Sequence, residues 1–313
     1  MKRAILVANP VSGAHRAAAL VPRLVEAFAE RGIAARPVWT TADDRDPAVD
    51  AEILGSELAV AIGGDGTLSR VARPIILSGR SAEAAPAIAF FAAGTGNVAL
   101  RALRLPRTPG ELAEAVVADR CRRLDVGVIP KSGATGRREN SMLLWAGAGW
   151  DGALIHAVAQ SRAQSRGLGV LWRYVREAPG VIARQRFEPI TVEVDGRSFT
   201  GSSAIVCNIG ELAFGRATGR AIPDDGVFDV VVSRIRSRTA LVVTAALAVA
   251  IPFDRLPGFL RTTGRRFRLA GATAPVQIDG EAAGVLPFEV EIRPASLRLI
   301  APASPSRGGA RRG

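Results

Sequence analysis

The chain has 313 residues, 48% of them hydrophobic, with a mean hydropathy of +0.18, enough apolar material for two domains with cores of their own and too much for a disordered polymer. A formal net charge of +12 points to anionic partners, and with aromatics at only 5% and a single tyrosine the base-stacking platforms of nucleic-acid binders are poorly supplied. An anionic membrane surface or a phosphate substrate is therefore favoured over nucleic acid.

In chain order, short apolar runs at 4–8, 36–39, 58–62 and 87–91 alternate with helix-like segments near 14–30, 45–54, 67–78 and 109–118. This alternation predicts an α/β, three-layer N-terminal domain with a parallel sheet over 1–120. After Cys121–Ile129 strands dominate, through 187–207, 227–235, 265–279 and 285–301, with turns at Asp195-Gly196, Asp225-Gly226 and Asp279-Gly280. The second domain, 121–303, is thus expected to be a mainly antiparallel β-sandwich, followed by a disordered basic tail at 304–313. Helical stretches interrupt it at 151–161 and 168–183. The apolar stretch 240–251 is too short to span a bilayer and reads as a buried or interfacial helix. Cys121 and Cys207 fit reduced thiols of a cytosolic protein, and His15 and His156 have no partners at metal-ligand spacing.

Chemistry concentrates where strands end. Gly63-Gly64-Asp65-Gly66-Thr67 joins an apolar strand to a helix through glycines, the arrangement that offers backbone N–H groups and a helix N-terminus to a phosphate. A bare phosphate repels Asp65, so the acid implies an intervening Mg²⁺; the plain alternative is a tight turn with Asp65 as helix cap. Asn9-Pro10-Val11-Ser12-Gly13 follows the first strand and Gly94-Thr95-Gly96-Asn97 the fourth, so all three loops fall on the carboxyl edge of the sheet, where ligands of open α/β sheets bind.

Together these strings resemble the diacylglycerol kinase catalytic domain family of lipid kinases, related to the sphingosine and ceramide kinases. Gly147-Ala148-Gly149-Trp150-Asp151, Cys207-Asn208-Ile209-Gly210, the run from Asp224 to Asp229, and Asp279-Gly280-Glu281 match landmarks of its second domain. The resemblance implies an ATP- and Mg²⁺-dependent kinase acting on a lipid hydroxyl, most directly diacylglycerol to phosphatidic acid. Asn9, Pro10, Ser12, Gly13, Thr40 or Thr41, Gly63 to Thr67, Gly94, Thr95 and Asn97 would contact the nucleotide. Asp65 would hold the active-site Mg²⁺ with Asp125 in outer-shell support, and Asp225 a structural Mg²⁺ with the carbonyls of Ile222 and Val227. The base would be Glu281, with Asp279 positioning it or exchanging that role; in an extended segment both could face one side.

Two departures stand out: Arg70 occupies a position where the family commonly has glutamate, and 211–216 lacks the usual glycine- and proline-containing pattern. They keep a degenerate nucleotide- or lipid-binding protein in view. NAD kinase, which shares Gly-Gly-Asp-Gly-Thr, is the other alternative. The expected setting is the cytoplasmic face of an anionic membrane, bound peripherally, with a homodimer left open. Two stretches combine aromatic and cationic residues, Trp172-Arg173-Tyr174 with Arg176, and Phe253 to Phe259 beside Arg261, Arg265, Arg266 and Arg268. Each could rest on such a membrane, and each alone reads first as a core-facing aromatic stripe with a solvated basic face.

Overall fold

The protein is described by a computed structural model over residues 3–10, 16–40, 45–94, 96–132, 138–161, 170–212, 215–271 and 273–301. The N-terminal half runs β1 (Arg3–Ala8), α1 (Arg16–Ala29), β2 (Ala34–Trp39), α2 (Pro47–Leu54), β3 (Leu58–Gly63), α3 (Asp65–Leu77), β4 (Ala87–Ala92), α4 (Val98–Ala102) and α5 (Pro109–Val117). Its strands lie parallel in the order β2-β1-β3-β4. Alternate residues of β1 serve opposite faces. Leu6 packs with α1 and α5 through Leu24, Phe28 and Leu112, while Ile5 and Val7 pack with α2 and α3 through Ile53 and Leu68. Every residue of β3 is buried, as a strand covered by helices on both sides must be. β2 is the exposed edge, where Pro37 removes a donor without breaking a ladder.

The second half runs β5 (Cys121–Ile129), β6 (Asn140–Met142), β7 (Trp145–Ala148), α6 (Trp150–Gln160), α7 (Val170–Arg184), β8 (Ile190–Val194), β9 (Arg197–Gly201), β10 (Ser203–Cys207), β11 (Phe228–Ser233), α8 (Arg238–Leu247), β12 (Phe259–Gly264), β13 (Arg266–Gly271), β14 (Pro275–Ile278), β15 (Glu281–Val285) and β16 (Phe288–Ile300). The antiparallel sheet β12-β11-β10-β7-β14-β15 closes against β16-β13-β8-β9 to form a β-sandwich. Phe228, Phe267 and Phe288 fill its interior, the first two with stacked rings 6.2 Å apart. The fold is the expected one, an α/β parallel-sheet domain followed by an antiparallel sandwich.

β16 belongs to both. Its first half pairs with β13, and its last residues pair antiparallel with β5 and parallel with β4, Leu299 beside Ile88. The strand shifts register between Arg293 and Leu297, with Ala295 at a φ of 51°. Buried Asp125 on β5 secures that kink: its carboxylate accepts from the backbone N–H of Ala295 at 2.7 Å and of Gly226 at 2.7 Å. Asp125→Ala strands both donors, and equilibrium urea unfolding is expected to register a loss of about 3 kcal/mol.

α6 lies hard against β14, because Gly152 has no side chain to collide with the Pro275 carbonyl oxygen. Two polar contacts fix the pair: Gln277 Nε2 donates to Asp151 at 2.8 Å, and His156 Nε2 lies 2.8 Å from the Val276 carbonyl oxygen. Burial pushes the Asp151 carboxyl up to about 6, against the opposing effect of the Gln277 hydrogen bond. An acid whose folded-state pKa is raised adds stability at low pH that is lost as pH rises through that value. Asp151→Asn is therefore expected to become progressively more stable relative to the parent between pH 4 and 7, read from melting temperatures across that range.

Candidate active site

The edge where β1, β3 and β4 end is the point at which the strand order reverses, between β1 and β3. Ala8 stands beside Ile62 and Gly63 beside Ala92, so Asn9-Pro10, the Gly63 turn and the Gly94 loop emerge together. Thr40 reaches the same edge, its N–H donating to the Ala8 carbonyl at 3.0 Å. Ser12, Gly13, Thr41 and Thr95 lie outside the described residues.

The second and third loops touch backbone to backbone. A side chain at Gly94 would begin 2.7 Å from the Gly64 Cα, while the N–H groups of Ala93 and Gly94 both donate to the Gly63 carbonyl oxygen. Gly63 is equally constrained, since a Cβ there would strike the Thr67 hydroxyl. α3 starts at Asp65 with Gly64 as a cap that offers no side-chain hydrogen bond, which leaves first-turn N–H groups for a ligand.

Asp65 does not cap its own helix. Its two carboxylate oxygens accept from the N–H groups of Val98 and Ala99, each at 2.9 Å, so it satisfies the first turn of α4 and welds the two glycine loops together. Each oxygen keeps a further lone pair for a cation. Asn97, at a φ of 46°, closes the third loop by donating Nδ2 to the Gly94 carbonyl at 2.7 Å. Its Oδ1 is buried with no hydrogen-bond partner among the described residues.

Across from this edge stands the β14–β15 hairpin. Asp279 and Gly280 are its two central residues, with φ of 51° and 82°, the type I′ geometry that Asp-Gly favours. The segment is therefore a turn and not extended, and its two acids part company. Asp279 is buried and takes donors from Ser69 Oγ at 2.8 Å and from the N–H groups of Leu143, Leu144 and Trp145 at 2.9, 2.8 and 3.1 Å. Burial raises its pKa against the pull of these hydrogen bonds. Glu281 is exposed at the cleft, its Oε1 3.1 Å from where a side chain at Gly66 would begin. Asp279 holds the structure together while Glu281 faces the turn from Gly63 to Thr67.

The cleft between them, about 320 Å³, is lined by Arg45, Arg70, Arg73 and Arg138 together with Ser69 and Asn140. Arg70 is buried, and its guanidinium is committed to Asp50 and to the Asp46 carbonyl oxygen, bracing α3 against α2. The arginine lining and Ser69 are what reading by motif misses. Gly66, Ser69, Arg70 and Arg73 follow one another at helical spacing on one face of α3, and that periodicity was the available signal.

The expected outer-shell role of Asp125 stands beside a structural one. Both Asp125 oxygens are engaged by Gly226 and Ala295, and its own N–H donates to the Pro223 carbonyl at 2.7 Å, so it organises the loop that carries Asp225. Asp225 is exposed, and partial burial, with Asp125 and Asp224 close by, raises its pKa. Among the described residues no three acidic, histidine or cysteine side chains converge as a metal cluster. Residues 213–214 of the preceding loop lie outside the described residues.

The profile of the diacylglycerol kinase catalytic domain matches residues 3–129, and that of the YegS C-terminal NAD kinase beta sandwich-like domain matches residues 146–301. A probable lipid kinase YegS-like from Stenotrophomonas maltophilia is 27% identical over 296 residues, covering 88% of each chain. An uncharacterized protein, sll0036, from Synechocystis is 27% identical over 263 residues, which span 79% of this chain and only 55% of that relative. Among solved structures, a putative diacylglycerol kinase from Bacillus anthracis superposes with a TM-score of 0.71 at 19% identity over 96% of this chain and 98% of that one. Yeast NADH kinase superposes with a TM-score of 0.51 at 12% identity over 95% and 82%. These last likenesses concern the fold alone. With one profile on each half and the glycine loops meeting at one sheet edge, the chain belongs to the diacylglycerol kinase catalytic domain family of lipid kinases, with a YegS-type C-terminal sandwich.

Proposed function

We propose that this protein transfers the terminal phosphoryl group of ATP to a lipid hydroxyl, with diacylglycerol as the leading acceptor and phosphatidic acid as product, at an anionic membrane to which it binds peripherally. The observation that carries the reading is the approach of the Glu281 carboxylate to Gly66 across an arginine-lined cleft. Phosphoryl transfer demands donors for the phosphate oxygens, neutralisation of their charge, and a carboxylate within reach of the acceptor hydroxyl.

In this reading the polyphosphate lies along the ends of β1, β3 and β4, its last phosphate at the N-terminus of α3. Glu281 takes the proton of the acceptor hydroxyl as its oxygen bonds to the γ-phosphorus and the bond from that phosphorus to the bridging β-phosphate oxygen breaks, with ADP as the leaving group, and Arg73 and Arg138 offset charge on the transferring oxygens. Bound Mg²⁺ would neutralise phosphate oxygens; the remaining lone pairs of Asp65 and the unpartnered Oδ1 of Asn97 are hard oxygen donors of the kind it takes. No described helix is long and apolar enough to cross a membrane. The fold shared with yeast NADH kinase supplies the competing acceptor, a dinucleotide.

Purified protein given labelled ATP, Mg²⁺ and separate diacylglycerol, sphingoid, ceramide and NAD acceptors is expected to label phosphatidic acid. Labelled NADP would overturn the lipid reading, and ATP binding without any product would leave a binding protein. Glu281→Gln is expected to lower kcat by roughly 10²–10⁴-fold at an unchanged melting temperature, because the side chain is exposed. Asp279→Asn should lose activity together with about 3 kcal/mol of stability, since an amide NH₂ would then confront backbone donors. Full turnover in Glu281→Gln would move the base elsewhere.

A further inference from the structure

α8 is apolar on both faces. Leu241, Thr244 and Ala248 point inward at helical spacing and are buried, while Val242, Val243 and Leu247 face outward. The chain beyond continues this exposure with Val249, 76% accessible, and Ile251. A helix on the surface of a water-soluble domain carries polar residues on its outer face, and beyond Arg238 and Thr239 in its first turn the outer face of this one is apolar. α7 beside it exposes Trp172, 64% accessible, and Val175, so the aromatic stripe expected to face the core is split, with Trp172 outward and Tyr174 turned to an adjoining cavity. The stretch from Phe253 to Phe259 behaves in the opposite way: Phe253 is buried, with its ring centroid 5.3 Å from that of Phe259 and 5.6 Å from that of Trp150.

Between α6, α7 and α8 lies a cavity of about 200 Å³ walled by Trp150, Leu154, Tyr174, Val181, Leu241 and Phe253. A cavity of this size with almost no polar wall excludes water and accepts an apolar guest. It opens among the exposed valines, so patch and cavity form one apolar surface.

Cations frame that surface. Arg173, Arg176 and Arg184 lie on α7, and exposed Arg234, Arg236 and Arg238 lead into α8. Arginines at a helix N-terminus work against its dipole, so helix stability does not account for the second group. From Arg238 to Phe253 there is no acidic residue, and the one acid of α7, Glu177, is paired with Arg176. The arrangement complements an anionic phospholipid surface.

We propose that α7, α8 and 249–251 form the face that docks on an anionic bilayer, with one acyl chain of a lipid entering the cavity against Trp150 and Leu154. The proposal rests on the lipid-kinase reading for what the bilayer presents, but binding itself is measured without turnover. The wall and the catalytic hairpin share one helix: α6 offers Trp150 and Leu154 to the cavity, and Asp151 and His156 to β14, which leads directly into Asp279 and Glu281.

The test is sedimentation of the full chain with vesicles of phosphatidylcholine alone and of phosphatidylcholine mixed in equal parts with phosphatidylglycerol. Binding is expected to be at least about tenfold tighter to the anionic vesicles, and tryptophan fluorescence should be quenched by brominated acyl chains, with the quenching reduced in Trp172→Phe to the part that comes from Trp150 in the cavity wall. The double variant Val243→Asp/Val249→Asp should lose vesicle binding while keeping its melting temperature, and Arg236→Glu/Arg238→Glu should lose the preference for anionic lipid even if the first variant fails to fold. Unchanged binding in the folded aspartate variant would overturn the proposal. So would a dimer that the same substitutions dissolve in a protein that binds no vesicles, since a second copy would then be the occupant. Glu281→Gln is expected to bind vesicles as the parent does, so failure of catalysis and failure of docking are read separately.

Discussion

Everything in the cleft depends on one buried carboxylate. Asp279 collects a hydroxyl from α3 and three backbone N–H groups from 143–145, and so ties the helix that follows the Gly63 turn to the sandwich. A charge withdrawn from water is costly unless its lone pairs are filled, and here the filling groups come from both halves of the molecule. The halves can therefore satisfy this group only in one relative placement. That placement sets Glu281, two residues on, opposite Gly66.

The same economy recurs elsewhere. Asp65 holds α4 by its first-turn N–H groups, Asp125 holds the kink of β16, and Gln277 accepts from the Gly280 N–H at 2.9 Å while donating to Asp151. Side-chain acceptors do here what a continuous ladder does inside a sheet, satisfying backbone donors where strands and helices stop. The carboxyl edge of the sheet and the hairpin are held by side-chain acceptors for this reason despite their glycines. The arginines of the cleft are set into that frame, and Arg70, paired with Asp50, is part of its bracing.

The sequence made the sheet edge legible because its signals are local. Glycines after apolar runs and helices after glycines need only neighbouring residues, so Gly63 to Thr67 and Gly94 to Asn97 fall on one edge by sequence alone. The division of labour between Asp279 and Glu281 was less visible, since it arises from a positive φ and from donors far away in the chain. The structural task of Asp125 was less visible for the same reason, because its partners Gly226 and Ala295 are long-range contacts. Trp172 and the valines of α8 carry a helical period that tells one face from the other but not which face looks outward.

β16 has a consequence for how the molecule is made. Ile88 and Leu299 are neighbours in the sheet although nearly the whole second half of the chain lies between them, and the same strand also borders β13 in the sandwich. During synthesis β4 must wait with an open flank until that distant strand emerges, so the parallel sheet cannot be finished as an early, independent unit. Loop closure over such separations is slow, and an unpaired inner strand invites mispairing in the interval. Assembly of the two halves is thus a single late event, and a ribosome-bound chain lacking β16 is a natural client for chaperones.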